Sequence, residues 1–304
     1  MDKTTELSDK PIEDVSEDSQ REGSDTSESV NPKIKYYEPT PEMIEEAMRI
    51  VGSDTKALSE FFYNKFEREA KKHWDIFYKN NKDNFFKDRH YIEREFKEIR
   101  EYKEKNEKFT LCEIGCGVGN ALYPLLESCP NIICYGFDFS PRAIKLIEEN
   151  EVTQKNKDRI FVEVVDIVKD PFPKHFPAPD LATLIFVLSA IAPEHFDAVA
   201  KKISDFLRPG SVLFFRDYGR FDMAQLKLAS HKSAKLKDNF YVKSDGTRVY
   251  YFTKEEIAEI FTKAGFEVLE NEYHYRLVEN KKLELKMNRV WLQAKFVKKE
   301  IKAE

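Results

Sequence analysis

The sequence predicts an α/β fold, a mostly parallel seven-stranded sheet with helices on both faces, and three observations carry that expectation. From Phe109 onward, short apolar runs alternate with amphipathic stretches: FTLCEIGC, NIICYGFD, RIFVEVVD, LATLIFVLSA and SVLFFRDYG. Runs apolar at nearly every position read as strands covered on both faces, as parallel strands are. Amphipathic stretches at residues 121–127, 141–150 and 193–207 lie between these runs and supply the crossover helices of βαβ units. Two further strand-like runs, Phe266 to Tyr275 and Val290 to Val297, finish the chain without a helix between them, so they are expected as an antiparallel pair at the sheet edge.

Ahead of the sheet, residues 1–30 hold ten Asp/Glu, three Lys/Arg and no aromatic residue. Such a segment has too little apolar surface to offset the entropy of ordering, so residues 1–35 are expected as a disordered acidic tail. Thr40-Pro41-Glu42 reads as a helix start, and two apolar sets recur at helical spacing: Leu58, Phe61, Phe62 and Phe66, then Ile92, Phe96 and Ile99. Residues 36–106 are therefore expected as an N-terminal helical extension, with an α/β domain at 107–304. Thr253 and Glu256 form a capping box for a helix that Gly265 stops. An insertion at residues 218–252 carries NFYVKSDGTRVYYF, a β-hairpin signal with Asp245-Gly246 at the turn.

No apolar run approaches the roughly 20 residues of a membrane-spanning helix, and the acidic start of the chain is unlike an Arg-rich transit peptide. A cytoplasmic protein is expected, with the nucleus as second compartment. The formal charge of −5 is uneven: the tail's ten acids and three bases account for −7, which leaves +2 for residues 31–304. Between Lys227 and Arg248 stand six basic and two acidic residues, which suits either a docked polyanion or an ordinary solvated face. Cys112, Cys116, Cys129 and Cys134 have neither CxxC nor Cys/His spacing, so they read as buried thiols and no metal is expected.

The chemistry concentrates at the ends of the predicted strands. The first closes on Glu113-Ile-Gly115-Cys-Gly117-Val-Gly119-Asn120. Glycines there allow positive φ and close approach of a ligand to bare backbone. A dinucleotide site would want a third glycine where Asn120 stands. S-adenosylmethionine has no phosphate and needs no anion cradle, and Glu113 can face its cationic side. The second strand closes on Gly136-Phe-Asp138, a carboxylate placed for two ribose hydroxyls, with Phe139 and Ser140 following. Asp166 and Ile167, after the third strand, suit the adenine amino group and ring. Phe186 and Ser189 follow the fourth strand, where enzymes that methylate exocyclic amines commonly carry Asn/Asp-Pro-Pro-aromatic. That motif is absent, which favours a ring nitrogen or another heteroatom with a free lone pair as methyl acceptor.

Several stretches together have a more specific likeness: His73-Trp74-Asp75-Ile76-Phe77-Tyr78, Asn84-Phe85-Phe86-Lys87-Asp88-Arg89-His90-Tyr91, EIGCGVGN, FRDYG at residues 215–219, and NFYVKSDGTRVYYFT. From about Lys72 onward the chain resembles the eukaryotic tRNA 3-methylcytidine methyltransferases, most closely the subgroup acting on serine tRNAs. The resemblance implies a Rossmann-like class I methyltransferase fold, S-adenosylmethionine as cofactor and cytidine 32 of the anticodon loop as target. It also implies Trp74 and Tyr78 in the cofactor pocket, Phe86, Arg89 and His90 beside the reactive centre, Lys87 on the RNA, and a partnership with seryl-tRNA synthetase.

Given that target, N3 of cytosine is unprotonated near neutral pH, so transfer needs orientation more than a strong base. The methylated base is cationic, and Asp217 is the candidate to accept from its amino group and stabilise the growing charge. Phe86 and Tyr218 are expected as aromatic walls for the extruded base. Arg216, Lys232, Lys235, Lys237, Lys243 and Arg248 are expected on RNA phosphates. Two other readings use the same residues: a small-molecule or protein N-methyltransferase, and a non-catalytic cofactor-binding scaffold of an RNA-modifying complex.

Overall fold

A computed structural model of the chain describes residues 35–81, 88–231, 233–280 and 285–300. A two-residue strand, β1 (Lys35–Tyr36), precedes five helices: α1 (Pro41–Ser53), α2 (Glu60–Arg68), α3 (Ala70–Asn81), α4 (Tyr91–Glu95) and α5 (Lys97–Lys105). Thr40 Oγ1 accepts from Met43 N at 3.3 Å, as the Thr-Pro pair predicts. The apolar stripe expected on α2 is partly wrong. Phe66 and Leu58 pack against the core and Tyr63 is buried, but Phe61 and Phe62 are 69% and 44% exposed. Four apolar residues spread over more of the helix than one contact covers, and the face centred on Tyr63 is the one that docks. Ile92, Phe96 and Ile99 are fully buried, with Phe96 at an extended break between α4 and α5.

Next come β2 (Phe109–Ile114), α6 (Leu122–Ser128), β3 (Ile132–Asp138), α7 (Pro141–Glu149), α8 (Glu151–Lys155), β4 (Ile160–Val164), β5 (Leu181–Ile185), α9 (Phe196–Phe206) and β6 (Val212–Tyr218). An insertion adds α10 (Met223–Ser230), β7 (Lys235–Lys237), β8 (Phe240–Val242) and β9 (Arg248–Tyr250). The chain then forms α11 (Lys254–Lys263) and a long hairpin of β10 (Phe266–Asn280) and β11 (Leu285–Lys298). In the main sheet the order is β1-β10-β11-β6-β5-β2-β3-β4. The five central strands are parallel, and β11 pairs antiparallel with both β6 and β10, as expected for the final pair. The predicted seven strands are present, and β1 adds an eighth on β10, too short to leave a periodic signal. The chain runs outward from β2 to β4, then returns to β5 beside β2. That reversal opens a crevice above the carboxyl ends of the strands, where open α/β sheets bind ligands.

Both faces are covered. α9 and α11 contribute Val199, Ile203, Ile257 and Phe261 to one apolar cluster, while α4 to α7 supply Ile92, Phe96, Leu122 and Ile144 to the other. Phe96 stacks on Phe214 of β6 with ring centres 4.1 Å apart. Beside it, Glu95 accepts from Arg216 and, at 3.2 Å, from Arg276, and the Arg216 guanidinium lies 4.4 Å from the centre of the Tyr91 ring. Arg216 is 1% exposed and also donates to Gln293. It therefore cannot meet an RNA phosphate, and the expectation for it is corrected: it ties the sheet to α4. Removing one partner leaves buried charge uncompensated, so Glu95→Ala is expected to cost about 3 kcal/mol in urea-induced unfolding. An unchanged midpoint would contradict that.

The hairpin predicted at Asp245-Gly246 forms between β8 and β9, and β7 makes it a three-stranded antiparallel sheet. Its tip rests on α3: at Gly246 (φ +81°), an added Cβ would lie 2.1 Å from His73 Nδ1, so no side chain fits there. Further contacts join insertion and helices. Leu58 N donates to Lys235 O at 2.8 Å, and the Lys235 ammonium donates to Asp54 O at 2.6 Å. Lys235 is buried in that contact, so its expected role on RNA is also corrected.

Candidate active site

Above the crevice, the segment after β2 bends through Gly115, Gly117 and Gly119, all at positive φ. Gly115 N and Cys116 N donate to Phe137 O, tying the bend to the end of β3. An added Cβ at Gly115 would lie 2.5 Å from a Val187 methyl, so the protein's own packing excludes a side chain there, a reason the motif alone does not disclose. Asp138, at the end of β3, accepts from Gly117 N at 3.1 Å and from Ser140 N at 2.9 Å. Each oxygen keeps a further lone pair for a ligand. Burial pushes its pKa up, and these two amide bonds oppose that shift.

The cleft beside this bend is open to solvent and spans about 820 Å³ of space between its walls. One wall is α3, with Trp74 and Tyr78 in ring contact at 5.9 Å. Asp138, Phe139, Asp166, Ile167 and Val168 form a second wall. The third comes from the segment after β5: Phe186, Val187, Ala190 and Ile191. Phe186 has φ +56°, a strained conformation for an aromatic residue that turns its ring between Tyr218 (4.8 Å) and the Arg89 guanidinium (5.7 Å).

Glu113 lies behind the bend, 3% exposed, and its Oε2 has no hydrogen-bond partner among the described residues. Desolvation pushes its pKa to about 8, against the pull of Arg89 and with help from Asp138. An orphaned buried carboxylate oxygen beside a strand-end acid and an apolar wall fits a ligand combining a cation, a ribose and an adenine. S-adenosylmethionine is such a ligand: Glu113 would face its charge, Asp138 its ribose, Ile167 its adenine, and Trp74 and Tyr78 would cover it. Below pH 8 a cationic ligand must displace the Glu113 proton. Affinity for S-adenosylmethionine is therefore expected to rise by up to about tenfold per pH unit between pH 6 and 8, with proton release on binding. Calorimetry would show this, and Glu113→Gln should flatten the profile; a flat profile in the native chain would remove Glu113 from the site.

Other expected residues sit differently. Ser140 is fully buried and caps α7, its hydroxyl accepting from Ala143 N and donating to Asp75 at 2.9 Å, so it holds Asp138 rather than a ligand. Ser189 is buried, its amide donating to Asp217 Oδ2 at 2.9 Å. Neither lines the cleft, nor do Glu113, Gly117, Gly119 and Asn120, and the direct cofactor contact expected of Ser140 and Ser189, both engaged in internal hydrogen bonds, is corrected. Asn120 carries the loop's link to the next segment: its carbonyl accepts from Arg89 N at 2.7 Å and its amide donates to Asp88 at 3.2 Å. Arg89 is half-buried, its Nη1 without a hydrogen-bond partner among the described residues, and His90 is exposed at the start of α4. Asp217 is wholly buried and accepts from Ser189 N and Tyr218 N, so its carboxylate meets no open surface, and the expectation that it accepts from the base's amino group is corrected. Arg248 is buried against Glu67 and Ala190 O at the cleft rim, which corrects its expected place on RNA. Lys237 is paired with Glu194 at 2.9 Å and covers the Tyr63 ring. Lys243 remains on an open surface, in a second depression lined by Tyr218, Tyr251, His231 and Arg289. Phe86, Lys87 and Lys232 lie outside the described residues. Glu67 and Lys71 also line the cleft and were missed, although 67, 71, 74 and 78 is a helical repeat that leads to them.

The comparisons agree with this geometry. Residues 85–271 match the family described as a methyltransferase domain. The human tRNA N(3)-cytidine methyltransferase METTL6 is 46% identical over 248 residues, 81% of this chain and 86% of that protein. A Saccharomyces cerevisiae protein named tRNA(Thr) (cytosine(32)-N(3))-methyltransferase is 39% identical over 267 residues, covering 84% of this chain and 41% of its own length. Among solved structures, a SAM-dependent methyltransferase from Methanosarcina mazei has a TM-score of 0.52 at 20% identity, covering 68% of this chain and 99% of that one; it bears on the fold alone. Sheet, bend and strand-end acid thus define an S-adenosylmethionine-dependent methyltransferase with a Rossmann-like fold. Within that class, the chain belongs to the tRNA N(3)-cytidine methyltransferase family.

Proposed function

We propose that this chain methylates N3 of cytidine 32 in the anticodon loop of serine tRNAs. The observation that carries the reading is identity of 46% across most of both chains with a relative named for tRNA cytidine N3 methylation. Position 32 is supported by the printed name of the yeast relative, and the serine set by the motif resemblance.

Bound S-adenosylmethionine supplies an electrophilic methyl group on a sulfonium. The remaining work falls to the chain. Trp74 and Tyr78 exclude water, while Asp138 and Ile167 fix the nucleoside part. Phe186 and Tyr218, in ring contact, offer an aromatic surface for an unstacked base next to the cleft. Arg89 stands over Phe186, and its Nη1 has no hydrogen-bond partner among the described residues. No group is needed to remove a proton before transfer, because N3 already bears a lone pair. Asp217 supplies negative charge behind Tyr218 and Ser189 as the base becomes cationic. The depression holding Lys243 adjoins Tyr218 and suits the entry of an anionic strand.

Seryl-tRNA synthetase as partner is part of the same proposal and rests on the resemblance. The test is nucleoside mass spectrometry of serine tRNA treated with the purified chain and S-adenosylmethionine, with and without the synthetase. The expected product is 3-methylcytidine, formed faster when the synthetase is present. Methyl incorporation confined to protein or metabolites would refute the RNA reading, and a rate indifferent to the synthetase would refute the partnership.

A further inference from the structure

The wall formed by Ile167 and Val168 is held in place by a residue that does not touch the cleft. Within residues 166–170 the amide groups are closed from inside: Asp166 N donates to Asp170 Oδ2 at 2.9 Å, Val168 N to Asp166 Oδ1 at 3.0 Å, and Lys169 N and Asp170 N to Asp166 O. The carbonyls are left pointing outward and converge on one point. Lys202, from α9, occupies it, its ammonium donating to Ile167 O at 3.2 Å, Val168 O at 2.7 Å and Asp170 O at 3.0 Å. Three donors meet three acceptors, which is all that an ammonium can give. Without a cation the aligned carbonyl dipoles would repel one another and stand unpaired beside the core.

We propose that Lys202 is a positioning residue for the methyl donor: by gathering these three carbonyls it sets the wall against which the nucleoside end of the cofactor lies. The inference rests on the reading of this cleft as the S-adenosylmethionine site. Lys202 is not a catalytic residue, since its side chain reaches the ligand only through the segment it shapes. A purely structural clamp of similar build exists elsewhere in the chain: Arg159 donates to Leu126 O and Cys129 O, each at 3.2 Å, at the end of α6 and away from the cleft. It supplies the control.

The experiment is calorimetric titration of S-adenosylhomocysteine into the full chain and into Lys202→Met, Lys202→Arg and Arg159→Met, with thermal denaturation of each and steady-state kinetics on tRNA. Lys202→Met is expected to weaken binding about tenfold or more, equivalent to one lost charged hydrogen bond, and to raise KM for S-adenosylmethionine with kcat at saturating cofactor and KM for tRNA unchanged. Lys202→Arg should restore affinity to within about threefold, because a guanidinium can still donate to carbonyls. Arg159→Met should lower the melting temperature and bind as the native chain does. Lys202→Gln replaces the Met variant if that one does not fold, with intermediate affinity expected. Native affinity in Lys202→Met or Lys202→Gln would overturn the proposal, as would equal loss of affinity in Arg159→Met. Failure of the native chain to bind S-adenosylhomocysteine would instead overturn the reading of the cleft itself.

Discussion

Asp217→Ala is expected to lower methyl transfer about 100- to 1,000-fold while leaving S-adenosylhomocysteine affinity within about threefold of native, the size of effect seen when an enzyme loses one preorganised electrostatic group. The carboxylate lies at the end of β6, wholly buried, and accepts from Ser189 N and Tyr218 N at 2.9 Å each. It therefore fixes Ser189 and Tyr218, whose ring lies against Phe186, and places negative charge where solvent cannot screen it. Transfer to N3 turns a neutral base into a cation, so this charge is worth more in the transition state than in the ground state. Burial raises its pKa to about 7, against hydrogen bonds from Ser189 and Tyr218 and the nearby Arg89 charge. The active form is the ionised one, so kcat should rise with pH through about 7, and Asp217→Asn should remove that limb. Single-turnover kinetics across pH 6 to 8 separates this from a binding defect. Turnover near the native level, or affinity lost in step with rate, would take Asp217 out of the mechanism.

Asp138→Ala is expected to weaken S-adenosylhomocysteine binding by about 100-fold or more, from two hydrogen bonds to a charged acceptor at roughly 1.5–3 kcal/mol each. Part of the loss is indirect. Gly117 N and Ser140 N both donate to this carboxylate, so its removal frees the glycine bend as well as the ligand. Asp138→Asn separates the two contributions, since an amide keeps one acceptor for the bend but presents a donor where the second acceptor stood. Its affinity should fall between native and alanine. Calorimetry together with a melting curve checks both variants, and native affinity in Asp138→Ala would remove this residue from the site.

The strands of the parallel core were legible because their burial on both faces leaves unbroken apolar runs; all five residues of β5 are buried. The cofactor cleft was legible from two strand ends, Glu113 to Asn120 and Asp138, because a bend and an acid at fixed topological points define it. Side-chain direction was read less well. Arg216 and Asp217 are neighbours on β6 and were both expected near RNA, yet successive strand residues point to opposite faces. One therefore meets Glu95 and Tyr91 while the other meets Ser189. Strand alternation alone could have separated them. The basic residues of the insertion looked alike in sequence, and only packing distinguishes buried Lys235 and Arg248 from Lys243 in its open depression. No local pattern marks α10 or β7 as firmly as Asp245-Gly246 marks the hairpin. Lys202 had no signal at all, because its three acceptors are backbone atoms more than 30 positions away that α9 meets only in the folded sheet.

The most direct measurement is a co-crystal structure with S-adenosylhomocysteine. The expected result is ligand density in the cleft over the Gly115 bend, against Asp138 and Ile167 and beneath Trp74. Density at any other place, or none at saturating ligand, would contradict the assignment on which every role described for these residues depends.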